Sequence, residues 1–92
     1  MTRSMAVDLG PRGIRVNMVA PGYIHTDRWD KLDESLCTRR RNNCPLRQEA
    51  SAEDIAQAVA FLASDASANI CGERLVVDGG CSAQHMPEDA DC

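Results

Sequence analysis

The chain has 92 residues, of which 43% are hydrophobic and 26% are charged, and its formal net charge is −4. This composition is ordinary for a globular protein and excludes a disordered chain, while the length allows at most one small domain. The acidic balance repels a phosphate backbone and argues against generic nucleic-acid binding. No apolar run approaches the roughly 18 residues of a membrane span, and the amino terminus lacks the apolar core of a signal peptide. We therefore expect a cytoplasmic protein.

The cysteines and histidines give no sign of a metal site. The chain has five cysteines, namely Cys37, Cys44, Cys71, Cys81 and Cys92. Their number is odd, and no two have the Cys-x-x-Cys spacing of a metal or redox motif. A reducing compartment keeps such thiols free, so we expect neither a disulfide scaffold nor a metal centre. His25 and His85 also lack metal-ligand spacing and are predicted to be surface residues.

The amino terminus predicts an amphipathic helix, because Met1, Met5 and Leu9 recur at helical spacing. Gly10 lies where a helix end favours a left-handed residue. Pro11 cannot continue the helical hydrogen bonds. The helix is therefore expected to end at this Gly-Pro pair.

A first strand is predicted after this turn. Residues 14–20 begin with alternating apolar and polar positions and become apolar on both faces, which is typical of a strand in a parallel sheet. Pro21 and Gly22 end it. The pattern then dissolves into charged residues over 23–49, which predicts a long connection that is either a mobile lid or poorly ordered.

Residues 51–63 give the clearest helix prediction. Asp54 follows Ser51 at the spacing of a capping box, which stabilises a helix start. The predicted apolar stripe consists of Ile55, Val59 and Leu62, joined by Ala58. Alanines beside this stripe allow the helix to approach a sheet closely.

A short second strand is predicted over residues 74–78, followed by a glycine turn. Residues 1–84 are expected to form the folded part, and the acidic residues 85–92 a solvated tail. A right-handed crossover through the helix would place the two strands side by side and parallel. Two strands are too few to be stable alone, so we expect a part of a larger sheet or a chain that relies on a partner.

Three segments, taken in order, resemble the short-chain dehydrogenase/reductase family. Residues 2–22 read TRSMAVDLGPRGIRVNMVAPG and are similar to the helix after the family's Tyr-x-x-x-Lys motif, its sixth strand and its Pro-Gly turn. Residues 52–65 read AEDIAQAVAFLASD and are similar to its last large helix. Residues 72–80 read GERLVVDGG and are similar to its seventh, edge strand. The resemblance implies the C-terminal third of an α/β, Rossmann-like doubly wound parallel sheet, in the order helix, strand, loop, helix, strand.

By this resemblance, the turn after the first strand lines the nicotinamide end of NAD or NADP. Pro21 and Gly22 would shape the wall beside the ring. The backbone of Ile24 would meet the carboxamide, and the hydroxyl of Thr26 would bond to the carboxamide or to the phosphates. A carboxamide both donates and accepts hydrogen bonds, which suits exposed backbone groups and a hydroxyl. The alternative is an ordinary strand-ending turn followed by an ordinary loop threonine.

The charged segment 27–47 corresponds to the lid that covers the substrate in the family. Trp29 either contacts substrate there or packs against the domain, and Leu32 has the same apolar character. Four arginines either clamp an anionic group or form a solvated face: Arg39, Arg40, Arg41 and Arg47.

The catalytic residues of the family have no match in the chain. The only tyrosine, Tyr23, and the only lysine, Lys31, are eight positions apart in a loop, so they cannot form the Tyr-x-x-x-Lys pair. We therefore predict no catalytic residue. Intact relatives transfer a hydride between nicotinamide and a small carbonyl or alcohol substrate. We expect a C-terminal fragment of such an oxidoreductase that is inactive alone, and the alternative is a non-catalytic association module that pairs with itself or with a full-length relative.

Overall fold

The computed structural model describes residues 1–84, which form helices on a two-stranded parallel sheet. In chain order the elements are α1 (Thr2–Leu9), β1 (Met18–Pro21), α2 (Asp27–Asp30), α3 (Glu34–Asn42), α4 (Ala52–Ala63) and β2 (Arg74–Val77). Within this described part, no helix has the length and apolar character needed to cross a membrane. The predicted tail, residues 85–92, lies outside the described residues.

The first helix ends at Leu9, as the sequence predicts, but Gly10 does not have the predicted left-handed conformation. Gly10 has a right-handed φ of −53°, and the chain continues as a 3₁₀ turn over Gly10–Arg12. Pro11 is tolerated there because the first turn of a helix needs no donor from it. The left-handed residue is Gly13, with a φ of 79°, whose N–H donates to the Gly10 carbonyl at 2.8 Å. The prediction of a left-handed end at Gly10 is therefore wrong.

The two strands pair in parallel, as predicted, in a register that joins Met18 to Arg74 and Pro21 to Val77. The first strand is shorter than the predicted residues 14–20, because side chains interrupt the ladder before Met18. The Asn17 amide accepts from the Glu73 N–H at 3.0 Å and donates to the Ile70 carbonyl at 3.0 Å. Hydrogen bonds of the Asn17 side chain thus replace the backbone ladder that the predicted strand would have formed here.

Helix α4 packs against both strands and begins with the predicted capping box. The Ser51 hydroxyl accepts from the Asp54 N–H at 3.1 Å, and the Asp54 carboxylate accepts from the Ser51 N–H at 2.9 Å. The half-buried positions are Ile55, Ala58 and Leu62. Val59 is 51% exposed, so its assignment to the buried stripe is wrong. The face that meets the sheet follows the spacing 55, 58, 62, and Val59 lies to one side of it.

Removing the cap hydroxyl is expected to destabilise the chain. Ser51→Ala leaves the Asp54 N–H without its acceptor, and we expect the free energy of unfolding to fall by about 1 kcal/mol. Urea unfolding followed by far-UV circular dichroism measures this change. Ser4→Ala, on the exposed face of α1, is the matched control and is expected to change stability by less than about 0.5 kcal/mol. Equal losses in the two variants would show that the cap contributes nothing.

The connection between β1 and α4 contains the helices α2 and α3, so the expectation of a poorly ordered connection is wrong, while the alternative of a mobile lid stays a prediction. Asp33 caps α3 and accepts from the Ser35 N–H at 3.4 Å. Glu34 lies in the first turn of α3, and three arginines lie in its last turn, so both ends complement the helix dipole. The sequence does not indicate α3, because this helix has too few apolar residues to give an amphipathic pattern.

A small buried cluster holds α2 and α3 in place. Its members are Trp29, Cys37, Asn43 and Cys44, all buried. The Leu46 N–H donates to the Gly79 carbonyl at 3.1 Å and so attaches the end of this segment to the turn after β2. The Cys37 thiol donates to the Trp29 carbonyl at 3.7 Å, so buried contacts join α2 to α3, and the Leu46 bond fixes the end of the segment beside the sheet.

The cysteines differ in their state. Cys37, Cys44 and Cys71 are free thiols. Cys81 is disulfide-bonded, so the expectation of free thiols throughout is wrong at that position.

Candidate functional site

The site predicted from the sequence begins where β1 ends, in residues 21–26, named here the turn segment. Pro21 is the last residue of β1, and the Gly22 N–H donates to the Val77 carbonyl at 3.1 Å. A Cβ atom at Gly22 would lie 2.6 Å from Cβ and 3.0 Å from Cα of Asp78. Only glycine allows the carboxyl ends of the two strands to approach so closely.

A cavity of about 330 Å³ opens beside this turn. Pro21, Gly22 and Tyr23 form one part of its wall, and Arg74 and Asp78 belong to the part that β2 and its following turn contribute. The structure therefore brings two of the four predicted site residues to the cavity. The other two follow along the turn segment, outside the cavity wall.

The backbone N–H and carbonyl of Ile24 point away from the neighbouring segment around Ala50. It forms an isolated parallel bridge with Ala50, made by the His25 N–H to the Ala50 carbonyl at 2.7 Å and the Ala50 N–H to the Tyr23 carbonyl at 2.9 Å. In a parallel bridge these bonds use the neighbours of Ile24 and not Ile24 itself. Within residues 1–84, the Ile24 N–H and carbonyl accordingly take part in no hydrogen bond.

Thr26 stands at the N-cap of α2 without capping it through its side chain. Its carbonyl accepts from the Asp30 N–H at 3.2 Å. At this position the hydroxyl oxygen of a threonine ordinarily accepts a hydrogen bond from a backbone N–H of the first turn. Here the exposed hydroxyl has no hydrogen-bond partner among the described residues, so it remains available to a ligand.

Aromatic rings and arginines pack together beneath the turn segment. Trp29 is only 5% exposed, and its ring centroid is 6.1 Å from that of Tyr23. The Arg40 guanidinium lies 5.2 Å from the centre of the Tyr23 ring, and that of Arg41 lies 5.7 Å from the centre of the Trp29 ring. Of the two roles left open for Trp29, packing against the domain is the one that the structure shows. Arg40 and Arg41 lie against rings rather than forming a purely solvated face.

His25 is 44% exposed in its side chain, in agreement with the prediction of a surface position, yet both ring nitrogens contact carboxylates. Nε2 lies 2.7 Å from Asp30 Oδ1, and Nδ1 lies 3.0 Å from Glu49 Oε1. The hydrogen bond to Glu49 and the charge of Asp30 raise the pKa of His25 above its ordinary value. Sequence reasoning missed these contacts because 24 positions separate His25 from Glu49.

Glu49 also forms a bidentate ion pair with Arg41. The Arg41 Nε donates to Glu49 Oε2 at 2.7 Å, and the Arg41 Nη2 donates to Glu49 Oε1 at 3.0 Å. Hydrogen bonds from Arg41, with that of His25, lower the pKa of Glu49 to about 2. The three side chains join the turn segment, α3 and the chain before α4. Within the part of the chain that the structure describes, no group of three or more metal-ligating side chains is arranged around an ion site.

The Glu49 ion pair predicts an acid-sensitive stability. Because the pKa of Glu49 is about 2 in the folded chain and near 4.5 ordinarily, its contribution is full above pH 4.5 and is lost as the pH falls toward 2. We expect Glu49→Gln to flatten the pH dependence of the urea midpoint across this range. The exposed Glu73 gives the control Glu73→Gln, which is expected to keep the wild-type slope. The same slope in all three proteins would contradict the ion pair.

A parallel β-α-β unit whose first strand ends in a tight Pro-Gly turn defines an α/β, Rossmann-like fold. The chain belongs to the short-chain dehydrogenase/reductase family: the family model described as Enoyl-(Acyl carrier protein) reductase matches residues 1–82. This confirms the resemblance and the fold class inferred from the sequence.

Curated relatives agree with this membership. The chain is 45% identical over 80 residues to the 3-oxoacyl-[acyl-carrier-protein] reductase FabG of Rickettsia felis. This match covers 87% of this chain and 33% of that protein. It is 44% identical over 80 residues to the (2S)-[(R)-hydroxy(phenyl)methyl]succinyl-CoA dehydrogenase subunit BbsD of Thauera aromatica, covering 87% of this chain and 32% of the relative. The chain thus spans about a third of the length of the curated relatives it matches.

Solved structures give the same result. A short chain dehydrogenase family protein from Francisella tularensis is similar with a TM-score of 0.83 and 35% identity, covering 91% of this chain and 39% of that one. A 4-hydroxyisoleucine dehydrogenase complexed with NADH is similar with a TM-score of 0.83 and 31% identity, covering 90% of this chain and 35% of that one. The family is one of oxidoreductases that use NAD or NADP.

Proposed function

We propose that this chain supplies the nicotinamide-side wall of an NAD(P)-dependent short-chain oxidoreductase, and that these 92 residues do not turn over substrate by themselves. One observation carries the proposal: the Ile24 backbone groups and the Thr26 hydroxyl are unbonded within residues 1–84, directly after the carboxyl end of a parallel strand. Doubly wound folds bind their ligands at that end of the sheet. Residues 1–84 are the proposed partial domain, and 85–92 its acidic tail.

The available groups suit a nicotinamide carboxamide, which presents one NH₂ donor and one carbonyl acceptor. Ile24 offers a donor and an acceptor from its backbone, and the Thr26 hydroxyl does both. Pro21 and Gly22 form part of the wall of the adjoining cavity, against which a flat ring can lie. When bound, NAD or NADP supplies the hydride chemistry, and this chain orients the carboxamide.

The same residues give no acid or base for the reaction. In the family a tyrosine, assisted by a neighbouring lysine, exchanges the proton with the carbonyl or alcohol. Here Tyr23 is half-buried with its ring against Trp29 and Arg40, and Lys31 is exposed at the end of α2. We therefore assign no catalytic residue.

The cytoplasmic location expected from the sequence stays a prediction.

Turnover assays test both parts of the proposal. The purified 92-residue chain, supplied with NADH or NADPH and a 3-oxoacyl thioester, is expected to oxidise no cofactor. A chimera in which this chain replaces the matching segment of the Rickettsia felis reductase is expected to regain turnover. Sustained turnover by the chain alone would contradict the assignment of no catalytic residue.

Within that chimera, Thr26→Val removes the hydroxyl and keeps the shape of the side chain. Loss of one bond to the cofactor is expected to raise its KM about tenfold, which corresponds to about 1.4 kcal/mol. Thr38→Val, on an exposed position of α3, is the matched control and is expected to leave the KM unchanged. Equal KM values in the two variants would remove Thr26 from the site.

A second candidate function is association without catalysis, favoured by apolar surface on both layers of the structure. Met18 and Val76 share one face of the sheet and are exposed, and Val59 and Phe61 are exposed on α4. Such faces suit a second copy of the chain or a full-length relative. Light scattering gives the mass in solution, and co-purification with the Rickettsia felis reductase tests the pairing. A monomer that binds no relative would contradict this candidate.

A further inference from the structure

We propose that His25 is a positioning residue, whose ring, held between Asp30 and Glu49, fixes the turn segment in the arrangement that presents Ile24 and Thr26. This hold requires the doubly protonated imidazolium. Its importance for the cofactor rests on the proposed function, whereas its effect on the turn segment does not.

Both ring nitrogens of His25 face groups that only accept hydrogen bonds. Ionised carboxylates have no proton to donate, and a neutral imidazole has one donor and one acceptor. The contacts of 2.7 Å to Asp30 and 3.0 Å to Glu49 are both hydrogen bonds only when both nitrogens carry protons. A neutral ring would turn a lone pair toward one of the two carboxylates. The geometry is thus that of an imidazolium.

The charges around the ring favour the same form. Asp30 faces it from α2, and Glu49 faces it from the chain before α4. Arg41 of α3 neutralises part of the Glu49 charge through its two-pronged pair, and the Trp29 ring, at 6.2 Å, adds no charge. Two carboxylates and one guanidinium leave a negative surplus next to His25, which stabilises its positive charge.

The ring contacts reach the proposed cofactor groups through the backbone. His25 lies between Ile24 and Thr26, and its N–H donates to the Ala50 carbonyl at 2.7 Å. The Asp30 N–H donates to the Thr26 carbonyl, so the residue that holds the ring also holds the start of α2. Loss of the ring proton removes one of the two side-chain contacts and frees the turn segment to shift.

The first test uses nitrogen-15 NMR of the 92-residue chain across a pH titration. His25 is expected to titrate above pH 6.5, and the amide signals of Ile24 and Thr26 are expected to move with the same midpoint. Asp30→Asn is expected to lower the His25 midpoint, because it removes the carboxylate charge beside Nε2. Asp27→Asn, in the same turn of α2, is the control and is expected to leave the midpoint in place. Amide signals that do not follow the ring, even in the unaltered chain, would overturn the proposal.

The second test separates this proposal from the proposed function. In the chimera with the Rickettsia felis reductase, the KM for the cofactor is expected to rise as pH increases through the His25 midpoint, with kcat following a different profile. His25→Gln is expected to remove that step from the KM profile. Amides that follow the ring without any step in KM would support the positioning role and would contradict the proposed cofactor contact.

Discussion

Trp29→Ala is expected to lower the free energy of unfolding by about 3–5 kcal/mol, the largest loss among the substitutions considered. Trp29 is 5% exposed and contacts Tyr23 and the guanidinium groups of Arg40 and Arg41, so its removal leaves a cavity beside the Tyr23 ring and the two guanidinium groups. Helices α2 and α3 are short and depend on this contact. Urea unfolding followed by far-UV circular dichroism measures the loss, since the variant has no tryptophan to report by fluorescence.

Two further variants define what the tryptophan contributes. Trp29→Phe keeps a ring and removes an indole N–H that has no hydrogen-bond partner among residues 1–84, so we expect a cost below about 1.5 kcal/mol. Leu46→Ala, at a side chain that is 65% exposed, is expected to cost less than about 1 kcal/mol. If Trp29→Ala costs no more than Leu46→Ala, the buried cluster does not hold the segment.

Gly22→Ala is expected to cost about 1–3 kcal/mol, because the added methyl group meets Asp78 at the ends of both strands. The distance of 2.6 Å from the new Cβ to Asp78 Cβ is far below contact, and neither atom belongs to a flexible side-chain end. The strands must separate to admit it, and the turn segment moves with them. Thermal unfolding by circular dichroism measures the loss.

Gly10→Ala is the matched control for this substitution. Gly10 is right-handed, and no heavy atom lies within 4 Å of its added Cβ. Alanine restricts the unfolded chain, so we expect no loss or a gain of about 0.4–1 kcal/mol. A chain with Gly22→Ala that is as stable as this control would contradict the close approach of the two strands.

The sequence predicts what local pattern controls. Ser51 and Asp54 lie three positions apart, and the capping box forms as the spacing indicates. The side-by-side parallel strands also follow from a crossover in which α4 packs across both of them. The prediction of a left-handed Gly10 was wrong because either Gly10 or Gly13 can provide the left-handed residue. Which glycine does so depends on whether a 3₁₀ turn forms between them.

Contacts between distant positions explain the other errors. Nothing near His25 in sequence indicates that Glu49 will reach its ring, and nothing in the charged run 34–42 indicates that Trp29 will provide a core for it. The candidate site was predicted through resemblance to a family and not from its own pattern. What the structure adds is that the Ile24 backbone groups and the Thr26 hydroxyl are unbonded within the described residues.

The central claim is that the turn segment meets the nicotinamide end of the cofactor. The most direct measurement is the nuclear Overhauser effect between the Thr26 methyl group, labelled with carbon-13, and NADH bound to the chimera with the Rickettsia felis reductase. We predict contacts from this methyl group to the nicotinamide ring protons and none to the adenine protons. Contacts to adenine, or none to nicotinamide while the cofactor is bound, would contradict the claim.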